Sequence, residues 1–329
     1  MNKIIGFKDQ FNYILNNLKN DTLNNSILIS GNKGIGKRFF ITNIIKEYLI
    51  HQTKNENIEH HLSLLKNDSH SNIKVLKKET DIKTKKIKNF ITIDQVRSIN
   101  LFSRETSPIE NLAKFIIIDS ADNLNSNAAN SLLKNLEEPK NNTYFFLISH
   151  QPSILLQSIK SRCLKINLPA HNFSNFSDIL ISSNITDDVE SIKFLFDITN
   201  GSPGLSTEYN FEEILEIFDR LIISISDSNT FSDNNNHLVE ILSNFENEKL
   251  KIYLSILKFI LITLMKLKYG VNIFDYFLSS NVKKIINISD DVSINLINNK
   301  LEYLIKNEND LFTLNLDKKI FMINFLAER

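Results

Sequence analysis

Two groups of residues in this chain have types and spacing that could do chemistry. The first is Gly31-Asn32-Lys33-Gly34-Ile35-Gly36-Lys37, which matches the phosphate-loop spacing G-x-x-x-x-G-K. Gly31, Gly34 and Gly36 give the backbone freedom to turn its N–H groups inward around phosphate oxygens, at the positive end of a following helix, and Lys37 adds a charge. The next position calls for a Ser or Thr hydroxyl that ligates Mg²⁺, and here it is Arg38. A guanidinium has only donors and repels a cation, although it can meet a phosphate directly. Asp119 ends the apolar run Phe115–Ile118, where a carboxylate can hold a metal's water shell. An active site of this kind that uses an Asp-Glu pair has glutamate next, to polarise the attacking water. Ser120 stands there and is no base at neutral pH. Asp122 falls in the following turn and is poorly placed to replace it. The residues predict a vestigial nucleotide site: no cofactor required, with weak ATP or ADP binding without hydrolysis still open.

The second group is Ser161-Arg162-Cys163. The preceding stretch, Ser153–Arg162, reads as a short helix with Ser153 as a cap, and Leu164–Pro169 reads as a strand. Arg162 therefore sits at a helix–strand junction, where its side chain can project from the rim of a sheet. Two readings are open from the residues alone: an ion pair at a helix end, or a cation used elsewhere. Cys163 has no His at a diagnostic spacing and reads as a small buried residue.

The elements that would hold these groups alternate. Short apolar runs at Ser26–Ser30, Asn72–Leu76, Lys114–Ser120, Thr143–Ser149 and Leu164–Pro169 read as strands, most of them covered on both faces. Between them lie helical patterns, as in Asn125–Pro139, where Ala128, Ala129, Leu132, Leu133 and Leu136 share one face, Asn125 or Ser126 caps the start and Pro139 closes the end. Alternating β and α elements predict a parallel α/β sheet. After Pro169 only helical patterns follow, with a Gly-Pro-Gly stop at Gly201–Gly204. The stretch Leu250–Gly270 is apolar on nearly every face and predicts a buried helix.

Composition excludes some classes. The 329 residues carry 38 Lys+Arg and 38 Asp+Glu, so any nucleic-acid contact must come from a local patch. The lysine-dense stretch Lys77–Lys88 is the candidate, with Lys83, Lys85, Lys86 and Lys88 facing few acids; a solvated loop explains it as well. A single cysteine rules out an internal disulfide and a multi-cysteine metal site. His51, His60, His61 and His70 lie beyond the loop, but adjacent His60 and His61 cannot face one ion from a regular helix, so no metal and no zinc is assigned. The most apolar run, Ile256–Met265, is too short to span a bilayer, and no signal peptide is evident; a cytoplasmic location with no membrane partner is expected.

The segments GNKGIGK, IIIDSADNLNSNAANSLLKNLEEP and FFLISHQPSILLQSIKSRC together resemble the clamp-loader branch of the AAA+ proteins. The resemblance is dense from about Ile27 to Pro169 and extends through ITNGSPG to about Gly204. It implies an AAA+ α/β phosphate-loop domain over residues 1–169, a small helical lid over 170–208 and an all-α collar for oligomerisation over 209–329. It also implies that Arg162, with Ser161, is an arginine finger that enters a neighbouring subunit's ATP site. The implied partners are the other clamp-loader subunits, delta and gamma/tau-like ATPases, in a heteropentamer, together with the sliding clamp and primed DNA. Active relatives place an arginine near the lid's GSPG; Leu205 and Ser206 follow it here. Ser149 matches the family's sensing polar residue, and a strand-end cap explains it equally. The implied role is a structural stator of the replicative polymerase holoenzyme without ATPase activity of its own. Rival expectations are an ATP-hydrolysing motor subunit of the same loader and a stand-alone DNA-binding protein.

Overall fold

The computed structural model describes residues 4–53, 57–80, 87–104, 112–140, 142–207, 210–227, 232–273 and 277–328. The chain forms two compact units, residues 1–178 and 179–329. Dividing the helical part further into a lid and a collar remains a proposal.

The first unit runs α1 (Lys8–Lys19), β1 (Ser26–Ser30), α2 (Lys37–Gln52), α3 (Ile58–Lys66), β2 (Ile73–Lys77), α4 (Ile93–Arg104), β3 (Lys114–Asp119), α5 (Ser126–Glu137), β4 (Thr143–Ser149), α6 (Gln157–Arg162) and β5 (Leu164–Asn167). The strands form one five-stranded sheet in the order β2-β3-β4-β1-β5, and every pairing is parallel. Side chains alternate across the strands, so the two faces bury separate cores. Ile27, Ile29, Phe115, Ile117, Phe146 and Ile148 pack with α1, α2 and α3 on one face. Leu28, Ile116, Ile118, Phe145 and Leu147 pack with α4, α5 and α6 on the other. That is why β1, β3 and β4 read as continuous apolar runs: neither of their faces meets water.

β3, β4 and β1 are neighbours, in register through Asp119↔Ile148 and Ser30↔Ser149. Their C-terminal ends therefore bring three loops to one edge of the sheet, where ligands of open α/β sheets bind. Asn125 caps α5, its side-chain oxygen accepting from the Ala128 N–H at 2.8 Å. The helix before Arg162 is shorter than its sequence suggests. Ser153 lies in a 3₁₀ turn, Pro152–Ile154, with Pro152 at its first position; the chain then extends at Leu155, and α6 starts only at Gln157 with no side-chain cap.

α7 (Phe173–Ser182) crosses from the first unit into the second. The second unit continues with α8 (Val189–Thr199), α9 (Pro203–Ser206), α10 (Phe211–Ser226), α11 (Asp233–Asn244), α12 (Asn247–Lys268), α13 (Val282–Ile288), α14 (Ile294–Thr313) and α15 (Lys318–Ala327). No strand occurs among its described residues. α12 is the expected apolar helix: beyond its first turn it is buried on most sides and leaves Lys251, Ser255 and Ile262 as a narrow exposed stripe. Lys300 of α14 is buried and donates to the carbonyls of Phe325 and Leu326 at 3.0 and 3.3 Å, satisfying groups that the end of α15 leaves without helical partners. Among the described residues no helix is long and apolar enough to cross a membrane.

Candidate functional site

The loop after β1 has the backbone its glycines allow. Gly31, Gly34 and Gly36 take φ of 145°, 84° and 93°. Gly31 needs more than a permissive φ, because a Cβ there would lie 2.3 Å from the Leu168 carbonyl oxygen and 2.5 Å from Ile35 Cδ1. The loop is thus pressed against the exit of β5. His171 fastens it further: its Nε2 lies 3.1 Å from the Ile35 carbonyl, and its ring packs on Phe7 with centroids 4.5 Å apart.

Lys37 opens α2, and its side chain turns back on the loop. The ammonium donates to the carbonyls of Gly31 and Asn32, both at 2.6 Å, and the residue is only 3% exposed. Burial pulls its pKa down to about 8 from 10.5, against the opposing pull of Asp122 and Asp119.

Arg38 binds protein. Its Nη2 is 2.5 Å from Asp68 Oδ1, and Lys77 lies 3.3 Å from the other oxygen of the same carboxylate. Burial raises the pKa of Asp119, and among the charges opposing that rise Arg38 ranks first, ahead of Lys37 and Lys77. A guanidinium is thus the foremost positive charge acting on Asp119, and it does not offset the burial. These residues do not fit Mg²⁺. The position that should offer a hydroxyl offers a cation held by Asp68.

The residues that follow Asp119 are also committed. Ser120 is 2% exposed and its Oγ accepts from Asn123 Nδ2 at 2.9 Å. Asp122 sits in the 3₁₀ turn Ala121–Asn123 and receives the Ser149 hydroxyl at 2.6 Å on one oxygen and the His150 N–H at 2.5 Å on the other. Ser149 thereby ties β4 to the loop after β3. The His150 ring is held neutral, its pKa lowered to about 4 by burial and then by Lys37.

Arg162 ends α6 at the surface, with its side chain 34% exposed. Its Nε donates to Glu137 Oε1 at 2.7 Å, its Nη2 pairs with the same oxygen, and its Nη1 donates to the Ser158 carbonyl at 2.8 Å. Ser161 donates to the same carbonyl at 3.1 Å. The ion pair expected of an isolated arginine thus exists, on an exposed guanidinium. Cys163 is a free, buried thiol whose pKa burial pushes up to about 11, so it is inert as a nucleophile at neutral pH.

The structure brings Gly31, Gly34, Gly36, Lys37 and Asp119 to one sheet edge and holds Arg162 against Glu137 at the end of α5, with Ser161 turned to the Ser158 carbonyl. Sequence reasoning missed Asp68, His150, His171 and Glu137, all contributors from outside the motifs or from their silent positions. In the lysine-dense stretch, Thr80 and Ile87 form an antiparallel bridge; Lys77 pairs with Asp68, and Lys88 with Glu79 at 3.1 Å. Lys83, Lys85 and Lys86 lie outside the described residues. His61 Nδ1 and His70 Nε2 are 3.1 Å apart, and His70 Nδ1 accepts the Asn72 N–H, so a neutral His70 carries its proton on Nε2 and donates it to His61.

The family described as "DNA polymerase III, delta subunit" matches residues 7–172, about half of the chain. The chain is 38% identical to the DNA polymerase III subunit delta' of Pseudomonas aeruginosa over 34% of this chain and 34% of that one. It is 36% identical to the subunit delta' of Haemophilus influenzae over 38% of each. The matched stretch spans little more than a third of these relatives' length. Among solved structures, a DNA polymerase III gamma subunit-related protein of Thermotoga maritima aligns over 95% of this chain and 97% of its own at 17% identity, with a TM-score of 0.42.

Proposed function

The chain belongs to the family described as DNA polymerase III, delta subunit, and from that membership we propose that it serves as a clamp-loader stator whose own nucleotide site is idle and whose Arg162 works in a neighbour's ATP site. Its similarity to the two subunits named delta' makes it delta-prime-like. In this reading it sits in a heteropentamer with delta and gamma/tau-like ATPases, and the complex places the sliding clamp on primed DNA. Residues 170–208 act as a lid and 209–329 as the collar.

Arg38 carries the reading. It replaces the metal-ligating hydroxyl, is committed to Asp68 at 2.5 Å, and its charge acts on Asp119. Lys37 turned onto its own loop, Ser120 in place of a base and Asp122 with both oxygens occupied point the same way. Hydrolysis needs a metal, a polarised water and a charge clamp together, and here each is replaced or engaged. Arg162, by contrast, is a surface cation. Phosphoryl transfer spreads negative charge over the equatorial oxygens, and a guanidinium supplied in trans stabilises that charge.

Steady-state ATP hydrolysis by the purified chain tests the idle site. No Mg²⁺-dependent turnover above background is expected, and Lys37→Ala changes nothing. Turnover that requires Mg²⁺ and disappears in Lys37→Ala would make the chain a motor subunit instead.

A further inference from the structure

We infer that Glu137 is a positioning residue for Arg162: its carboxylate grips the guanidinium from the side and presents the outer edge for a phosphoryl oxygen. The inference rests on the trans-finger reading of Arg162 given above.

A guanidinium offers its N–H groups along two useful edges. The side edge, Nε with Nη2, closes on a single oxygen of Glu137, Oε1. Nη1 is anchored by the Ser158 carbonyl one helical turn earlier, at 2.8 Å. These contacts, with Ser161 Oγ as a further contact 3.5 Å from Nη1, fix the plane of the group from two directions, while 34% of the side chain stays exposed. An arginine otherwise spreads over many rotamers, and ordering it at the moment of reaction would cost much of what the charge supplies. Preorganisation removes that cost before the neighbour arrives.

Glu137 is suited to this task by its place in the fold. It is the last residue of α5, a helix whose Ala128, Ala129, Leu132 and Leu136 are buried against the sheet, so its backbone cannot drift. Ile159 of α6 is buried in the same core, which holds the two helix ends at a set separation. Leaving the carboxylate 46% and the guanidinium 34% exposed keeps the pair accessible. A solvent-exposed pair adds little to folding stability, so a fold-maintenance role predicts almost nothing for its removal. The positioning role predicts a kinetic effect.

The test is ATP turnover by the full loader, assembled with its motor subunits, clamp and primed DNA, comparing wild type, Glu137→Ala, Glu137→Gln and Arg162→Ala. Glu137→Ala is expected to lower kcat roughly 10- to 100-fold, the scale of a misplaced group, with the KM for ATP and the melting temperature of the chain unchanged. Glu137→Gln retains an oxygen that can accept from both nitrogens and is expected to recover most of the loss. If Arg162→Ala slows turnover while both Glu137 variants match wild type, the positioning role is wrong and the finger stands. If Arg162→Ala has no effect, the finger reading fails and the inference falls with it. If Ala and Gln depress melting temperature and kcat in parallel, the contact is structural and the inference is also overturned.

Discussion

Lys37 holds a charge where the fold pays for it, and that cost can be read as a pH dependence. The ammonium is 3% exposed and satisfied by two carbonyls of its own loop, yet burial brings its pKa to about 8 against 10.5. Between those values the unfolded chain holds a proton that the folded chain has released. The unfolded state then binds more protons, so stability rises with pH in that window, by about 1.4 kcal/mol per unit at most. Integrated from pH 7 to pH 10, the gain is about 2–3 kcal/mol. Lys37→Met keeps an unbranched, flexible side chain of similar volume and removes the titration. Urea unfolding of both proteins across this range isolates the effect, because Cys163, Tyr48 and Tyr144 titrate equally in each. The wild type should gain those 2–3 kcal/mol relative to Lys37→Met as the pH rises. Parallel pH profiles would refute the reasoning and show that the ammonium is solvated rather than closed on the loop.

Other expectations follow from single contacts. Gly31→Ala should destabilise the first unit by about 2–4 kcal/mol, because the new methyl meets a backbone oxygen at 2.3 Å; Gly36→Ala, with nothing within 4 Å of its Cβ position, should cost only the left-handed backbone penalty of about 1–2 kcal/mol, and thermal melting of the two variants compares them. His70 is buried with its pKa lowered to about 4, so the folded chain resists a proton that the unfolded chain takes up near 6.5. Stability should therefore fall by up to about 3 kcal/mol as pH drops from 6.5 toward 4, and His70→Asn, whose amide oxygen can still accept the Asn72 N–H, should flatten that limb in acid-unfolding titrations.

The sheet was legible because both its faces are covered. Strands such as Lys114–Asp119 and Thr143–Ser149 need apolar residues at every position, and a run of that kind stands out from the helical periodicity around it. The phosphate loop was legible because only glycine tolerates its backbone, and Arg38 was legible as a breach of the pattern. The partners of these residues were not. Asp68 lies in the turn after α3, and nothing in its neighbourhood of sequence marks it as the counter-ion of Arg38 across 30 residues. Glu137 reads as an ordinary exposed position near a helix end until α5 and α6 pack side by side. The engagement of Asp122 by Ser149 and His150 is likewise a product of strand order, since β3 and β4 must be adjacent before those atoms can meet. Ser153 does not cap the helix, because Pro152 favours a turn as readily as a helix start, and the extended residue at Leu155 has no signature in the sequence.

The measurement that bears most directly on the central claim is ATP turnover of the assembled loader carrying Arg162→Ala in this subunit alone. The account predicts an intact complex whose hydrolysis falls by a factor on the order of 10³, as expected for a finger supplied in trans. Turnover equal to that of the wild-type complex would contradict it.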